Sequence, residues 1–201
     1  MGQLFYPPMQ VTDVFDMNID ICQLGMDQRR ANILAREIAD KLKWKKPVAL
    51  HHHIIMGLQG VKAGANSEET LIQSKMSKSD PKSAIYMHES YDELKSKINS
   101  AYCPERVEEG NPLLEYCKYI IFKNVKSIKM ERQNKFGGNI EFFSYEELRK
   151  AYVDGKLHPA DLKTAVTNEL DKLIKPVREH FEKNKKAKEL YNIVKNVKIT
   201  K

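Results

Sequence analysis

Two short apolar runs separated by one amphipathic helix constrain this chain more than anything else in it. Ile19 to Leu24 is mostly apolar and stops at Gly25. Asp27 to Leu42 follows, with Ile33, Leu34, Ile38 and Leu42 at helical spacing. Pro47 to Leu50, with the histidines after it, is a second strand-like run. Strand–helix–strand alternation is the signature of a parallel sheet with helical crossovers. Such sheets take ligands beyond the carboxyl ends of their strands, and the turn Gly25-Met26-Asp27-Gln28 lies at one of those ends. A glycine there lets a ligand approach the backbone. Asp27 suits a ribose hydroxyl and Gln28 an ammonium group, and Asp27 suits the N-cap of the following helix equally well.

Before the first strand, Pro7 to about Met17 reads as a helix with Pro7 at its first position, where a missing N–H costs nothing. Tyr6, Gln10 and Asp13 share one face of it at i, i+4 and i+7. A phenol, an amide and a carboxylate so placed can hold an amino acid, or can simply face water. From Gly57 to Pro81 the chain is polar and glycine-bearing, hence loop, and contains Lys75-Met76-Ser77-Lys78-Ser79. Interleaved lysines and serines suit a segment that closes over a polyphosphate and neutralises charge developing on it; a solvated loop has the same residues. Ser90-Tyr91-Asp92-Glu93 is a capping box that opens a helix to about Ala101. Pro112 to about Phe122 is a helix with Leu113, Leu114, Cys117 and Ile121 inward. Ile128–Met130 and Ile140–Phe143 are strand candidates around Phe136-Gly137-Gly138, and Ser144 to Glu147 caps another helix. A long helix from His158 to about Lys183 carries Pro176 as a kink, and Ala187 to Ile199 is amphipathic. The expected architecture is a partial α/β unit to about residue 90, then a mostly helical module.

Net charge is +7, and from Lys183 to Lys201 seven lysines face one acid, Glu189. That balance favours a polyanionic partner such as nucleic acid. No apolar run is long enough to span a bilayer, and MGQLFYPPMQ lacks a charged leader and an apolar core, so the expected location is cytoplasmic. Cys22, Cys103 and Cys117 form no CxxC pair and fit buried thiols in a reducing compartment. His51 and His53 would share one face of a strand, but no Cys or carboxylate lies nearby in sequence, so no metal site is expected.

In order, YPPMQVTD, QLGMDQRR, ALHHHIIMGLQG, KMSKSD, AYCP, EGNPLLEYCKY, KFGG and LHPADLK resemble the tyrosyl-tRNA synthetases of the archaeal and eukaryotic type, class I aminoacyl-tRNA synthetases. The resemblance covers essentially the whole chain. It implies the C-terminal half of a Rossmann-type catalytic fold (residues 1–90), followed by a helical anticodon-binding domain with a basic tail (residues 91–201). Tyr6, Gln10 and Gln28 would hold the amino group of tyrosine and Asp13 its phenol. Gly25 and Asp27 would face the ribose of ATP, with Met76 beside the adenine. Lys75, Ser77, Lys78 and Ser79 would form the triphosphate loop. Phe136, His158 and Asp161 match residues that read the first anticodon base, Phe136 by stacking. The implied partners are tyrosine, tRNA(Tyr), and ATP with Mg²⁺ as a substrate complex, with no tightly bound cofactor. A HIGH-like motif, the first strands of the sheet and the insertion that usually builds the homodimer interface have no counterpart in this sequence. The resemblance is therefore to the C-terminal portion of such an enzyme, which alone is expected to be inactive and to expose an apolar sheet edge and face. The alternatives are a non-catalytic tRNA-binding module and a fragment of a tryptophanyl-tRNA synthetase; Asp13 speaks against the latter.

Overall fold

The computed structural model describes residues 2–61, 70, 74–77 and 79–197. It divides into two compact units, residues 1–54 and 55–201. The KMSKS stretch packs in the second unit, together with the helical segment that follows it.

In the first unit, helix α1 (Gly2–Asp16) precedes strand β1 (Ile21–Gly25), a 3₁₀ turn (Met26–Gln28), helix α2 (Arg29–Leu42) and strand β2 (Val48–His52). β1 and β2 pair in parallel, Ile21 opposite Val48 and Gly25 opposite His52. This is the strand–helix–strand unit that the alternation requires. The helix before it begins earlier than its prolines suggest, and Pro7 and Pro8 lie inside α1. Proline costs a helix the donor to residue i−4, but its fixed φ near −65° is itself helical, so the chain continues through. Val11 and Val14 of α1 are buried, and Phe15 meets Trp44 edge to face at 4.9 Å.

β1 is mostly apolar in sequence, as a buried strand would be, yet only Cys22 of it is buried. Ile21 is 63% exposed, and Val48 and Leu50 are each 56% exposed. Side chains alternate across a strand, so these three occupy one face of the sheet, which is open to solvent. Helix α2 lies against the other, with Ala35 and Ala39 fully buried.

In the second unit, helix α3 (Tyr91–Ser100) opens with a complete capping box: Ser90 Oγ accepts from the N–H of Glu93, and the Glu93 carboxylate accepts from the N–H of Ser90. These bonds hold the Glu93 carboxyl below its usual range, so the cap is intact above the ordinary carboxylate range and fades as pH falls through the lowered value. Helix α4 (Pro112–Tyr116) widens into a π-turn (Cys117–Ile121) and closes with one helical turn (Phe122–Asn124). The predicted inward residues Leu113, Leu114, Cys117 and Ile121 are all buried. Strands β3 (Ile128–Met130) and β4 (Ile140–Phe142) pair antiparallel. Helix α5 (Tyr145–Val153) is capped by Ser144, although the returning Glu147 carboxylate takes the N–H of Phe143, one residue earlier than the box motif implies. Helix α6 (Pro159–Lys183) and helix α7 (Lys185–Asn196) complete the unit. The core joins Leu94 and Ile98 of α3, Leu113 of α4, Leu148 and Tyr152 of α5, and Leu162 of α6. Burying a side chain of this size contributes about 1.5–3 kcal/mol. Burial raises the pKa of all three free thiols, Cys22, Cys103 and Cys117, as it does in apolar surroundings generally. No described helix is long and apolar enough to cross a membrane.

The buried hydroxyl of Tyr116 donates to the carbonyl of Met56 at 2.7 Å. Tyr116→Phe leaves that carbonyl without its donor, and urea unfolding should register a loss of about 1–3 kcal/mol. The open sheet face should make the chain self-associate. Sedimentation velocity should show a coefficient rising with concentration, and Val48→Lys with Leu50→Lys should abolish the rise.

Candidate functional site

In the first unit Tyr6, Gln10 and Asp13 lie on one face of α1. Tyr6 is 63% exposed, Asp13 is exposed, and Gln10 is half-buried. The amide oxygen of Gln10 is buried and has no hydrogen-bond partner among the described residues. A cleft of about 910 Å³ in the same unit is lined from the opposite side of α1 by Val11, Phe15, Leu34, Ile38 and Trp44, and includes none of the predicted tyrosine-binding residues. At the end of β1, a Cβ on Gly25 would stand 2.7 Å from Asp27 Oδ1, so the close approach of that carboxylate needs glycine. Gln28 stands at the N-cap of α2 and makes no side-chain cap bond, and Asp27 lies one residue earlier, in the 3₁₀ turn. Of the histidines, His51 Nε2 is 3.0 Å from Asn32 Nδ2. Among the described residues no three His, Cys, Asp or Glu side chains are grouped to hold a metal.

In the second unit the KMSKS segment is a turn with its own bonds. Lys75 bridges antiparallel to Met56, and Ser77 to Asp80. Ser79 N–H donates to Ser77 Oγ at 3.1 Å, and Ser77 N–H donates to Ser83 Oγ at 3.1 Å. Asp80 receives Gln59 Nε2 at 2.8 Å and the N–H of Lys82 at 3.2 Å. Gly57 donates to Ser74 O at 2.7 Å, and Leu58 to Ser83 O at 2.9 Å. A Cβ on Gly57 would lie 3.0 Å from Ser74 O and 3.1 Å from Ser83 O, so this glycine admits both sides of the turn against one backbone stretch. Lys75 is exposed, Met76 is half-buried against the core, and Lys78 lies outside the described residues.

The downstream end of that turn is held by a side chain that sequence reasoning missed. Lys97 Nζ donates to Pro81 O at 2.7 Å and Ala84 O at 2.8 Å, and forms an ion pair with Glu89. Glu89 is buried, and its backbone carbonyl receives Arg178 Nη1 of α6 at 2.6 Å. Arg178 also pairs with Asp171 at 2.5 Å. One ammonium thus gathers two carbonyls and one oxygen of a carboxylate, which offsets part of the cost of burying the charges; Glu89 Oε2 is buried with no hydrogen-bond partner among the described residues.

The three predicted anticodon residues lie in the same unit. Phe136 ends a 3₁₀ turn (Asn134–Phe136) before Gly137 at φ 94°; its side chain lies outside the described residues. His158 is the N-cap of α6, with Nδ1 accepting from the N–H of Ala160 at 3.1 Å. Its ring proton therefore sits on Nε2, 3.4 Å from a Glu105 carboxylate oxygen. Asp161, in the first turn of α6, lines a cleft of about 850 Å³ with Tyr91, Ser127, Lys129, Asn168 and Lys172. Arg132, also missed, donates from Nε to Gly138 O at 2.9 Å and from Nη1 to Lys156 O at 3.0 Å, tying the Phe136 loop to the segment before His158.

Residues 1–175 match the family described as tRNA synthetases class I (W and Y). The chain is 46% identical over 201 residues to the cytoplasmic tyrosine–tRNA ligase 1 of Arabidopsis thaliana, covering 100% of this chain and 49% of that one. It is 44% identical over 215 residues to the tyrosine–tRNA ligase of Thermococcus kodakarensis, covering 100% and 56%. A crystal structure of tyrosyl-tRNA synthetase from Pyrococcus horikoshii complexed with L-tyrosine superposes with TM-score 0.80 at 42% identity, over 93% of this chain and 54% of that one. A tryptophanyl-tRNA synthetase from Giardia lamblia reaches TM-score 0.51 at 26% identity, over 77% and 33%. The chain spans about half the length of the curated relatives it matches.

Lys97→Met should release the Pro81 and Ala84 carbonyls while leaving the turn's own bonds in place. Amide exchange across residues 80–84 should quicken about tenfold or more, the loss of about 1–3 kcal/mol for charge-assisted bonds, with exchange in α5 unchanged. Unchanged exchange at 80–84 would show that the ion pair does not hold this turn.

Proposed function

The chain belongs to the class I tRNA synthetases of the W and Y family, and on that premise we propose that it is the C-terminal portion of a tyrosine–tRNA ligase. It would supply part of the tyrosine pocket and ribose-facing turn, the KMSKS segment, and the anticodon-reading module. In this reading, residues 1–54 are the second half of a Rossmann-type sheet and the helical segment is the anticodon-binding domain. The partners would be tyrosine, ATP and tRNA(Tyr), with a homodimer only where the remaining half of the catalytic domain is present.

The observation that carries this reading is the buried, unpaired Gln10 amide oxygen, on the same helical face as Tyr6 and Asp13. A buried acceptor without a donor costs about 1–3 kcal/mol, and turning this amide out toward a ligand ammonium on the Tyr6 and Asp13 face recovers it. Tyr6 and Gln28 would complete the ammonium site, and Asp13 would accept the phenolic O–H of the substrate. Gly25 would admit the ribose close to the backbone while Asp27 accepts from its hydroxyls. Activation then forms a bond between the tyrosine carboxylate oxygen and the α-phosphorus of ATP, and the bond to pyrophosphate breaks. Lys75 and Lys78 would neutralise the charge that grows on the departing pyrophosphate, with Ser77 and Ser79 as additional donors and Met76 against the adenine. Mg²⁺ would arrive bound to ATP, whose phosphates supply its ligands in such sites. Phe136, His158 and Asp161 would hold the first anticodon base.

A second reading draws on Phe136, His158, Asp161 and the lysine-rich tail: a tRNA-binding module without catalysis. The purified chain should show no tyrosine-dependent ATP–pyrophosphate exchange on its own. Joined in frame to the first half of the Thermococcus kodakarensis ligase, it should show exchange, and Asp13→Ala should lower the preference for tyrosine over phenylalanine about tenfold or more. Exchange by the chain alone refutes the requirement for a second half. No exchange by the fusion, with tRNA binding retained, favours the non-catalytic module.

A further inference from the structure

The second unit has a second cleft, of about 520 Å³, outside the three predicted anticodon residues. Its chemistry comes from Lys118, Tyr119, Lys123, Lys126, Phe143 and Glu146. The π-turn shapes one wall. Cys117 and Ile121 are fully buried, so Lys118 and Tyr119 between them point outward; π-turns inside helices often mark functional sites. Lys118 Nζ lies 5.1 Å from the Tyr119 ring centroid and 5.5 Å from that of Tyr145. Phe143 leaves the end of β4 with its N–H bonded to Glu147 and its ring 66% exposed. Glu146 is the one carboxylate among the lining residues. None of the three lysines forms an ion pair among the described residues.

Three uncompensated ammonium groups beside an uncovered phenyl ring ask for a ligand that is both polyanionic and flat. Single-stranded nucleic acid has that combination, phosphates for the lysines and bases for the ring. An acidic peptide would use the lysines and leave Phe143 uncovered. Position supports the same choice: Val125 lines both this cleft and the one containing Asp161, so the two adjoin at that residue. We propose that this cleft is an additional RNA-contact site, holding the phosphates of an unpaired stretch on Lys118, Lys123 and Lys126 and stacking one base on Phe143. It rests on the reading that the second unit handles RNA, but not on which bases Phe136, His158 and Asp161 select.

The test is fluorescence anisotropy with the full chain, a labelled single-stranded uridine 12-mer and a tRNA(Tyr) transcript, over a range of salt. For the 12-mer, Lys123→Ala with Lys126→Ala should weaken binding and flatten the slope of log K against log salt by about 1.4, two phosphate contacts at about 0.7 each. Phe143→Ala should cost about tenfold at any salt, and Phe143→Tyr should retain binding, because stacking needs only an aromatic face. His158→Ala with Asp161→Ala should weaken the transcript and leave the 12-mer unchanged. Wild-type slope and affinity in the lysine and Phe143 variants would overturn the cleft while leaving the anticodon reading intact. Loss of 12-mer binding in those variants, with the transcript indifferent to His158 and Asp161, would support the cleft and remove the anticodon reading. A glutamate 12-mer that binds as tightly as the uridine 12-mer would overturn RNA as the ligand class.

Discussion

The backbone of Met56 is held at its N–H and at its carbonyl by adjacent residues of one helix. Its N–H donates to the Glu115 carboxylate at 2.7 Å, and its carbonyl accepts from the Tyr116 hydroxyl at 2.7 Å. Both side chains are buried, where an unmet donor or acceptor is costly. Burial and the neighbouring Glu115 charge push the Tyr116 phenol far above its ordinary pKa, so it remains a donor at any working pH. This grip sets the backbone of Gly57 and Leu58, to which Ser74 and Ser83 bond in turn. Met56 itself bridges to Lys75. The KMSKS turn therefore hangs from helix α4 at one end and from Lys97 of α3 at the other.

The two units obey different balances. The second has fully buried side chains from α3, α4, α5 and α6 around one core. The first has a two-stranded sheet covered on one face, with Ile21, Val48 and Leu50 open on the other. Two strands with a single helix layer bury little apolar surface, and sheets of this parallel kind are ordinarily covered on both faces. The exposed Ile21, Val48 and Leu50 form a surface with the composition of an interior and no partner among the described residues.

Local signals were legible wherever a residue's role is satisfied within a few positions of the chain. The Ser90–Glu93 box, the inward stripe of α4, the β3–β4 pair and the parallel β1–β2 unit all follow from spacing. The start of α1 did not, because proline tolerates the helical φ it was expected to initiate. The π-turn after Tyr116 also escaped, since one extra residue in a helical turn leaves the apolar period nearly unchanged. Lys97, Glu89, Arg178 and Arg132 were invisible for another reason. Their partners lie 6 to 89 residues away in the chain, and no local pattern distinguishes them from surface charge.

The sequence by itself determined which residue types are available for chemistry and in what order: the Tyr6, Gln10, Asp13 face, the glycine-ended strand with Asp27 and Gln28, the KMSKS segment, and Phe136 with His158 and Asp161. It could do so because helical and strand periodicity place side chains on faces without reference to the rest of the fold. Only the tertiary structure decided that the Gln10 oxygen is buried unpaired, that Lys97 and Glu89 anchor the KMSKS turn, and that three lysines and Phe143 share one cleft. Burial and convergence depend on which distant segments arrive at the same place, and that is settled by packing.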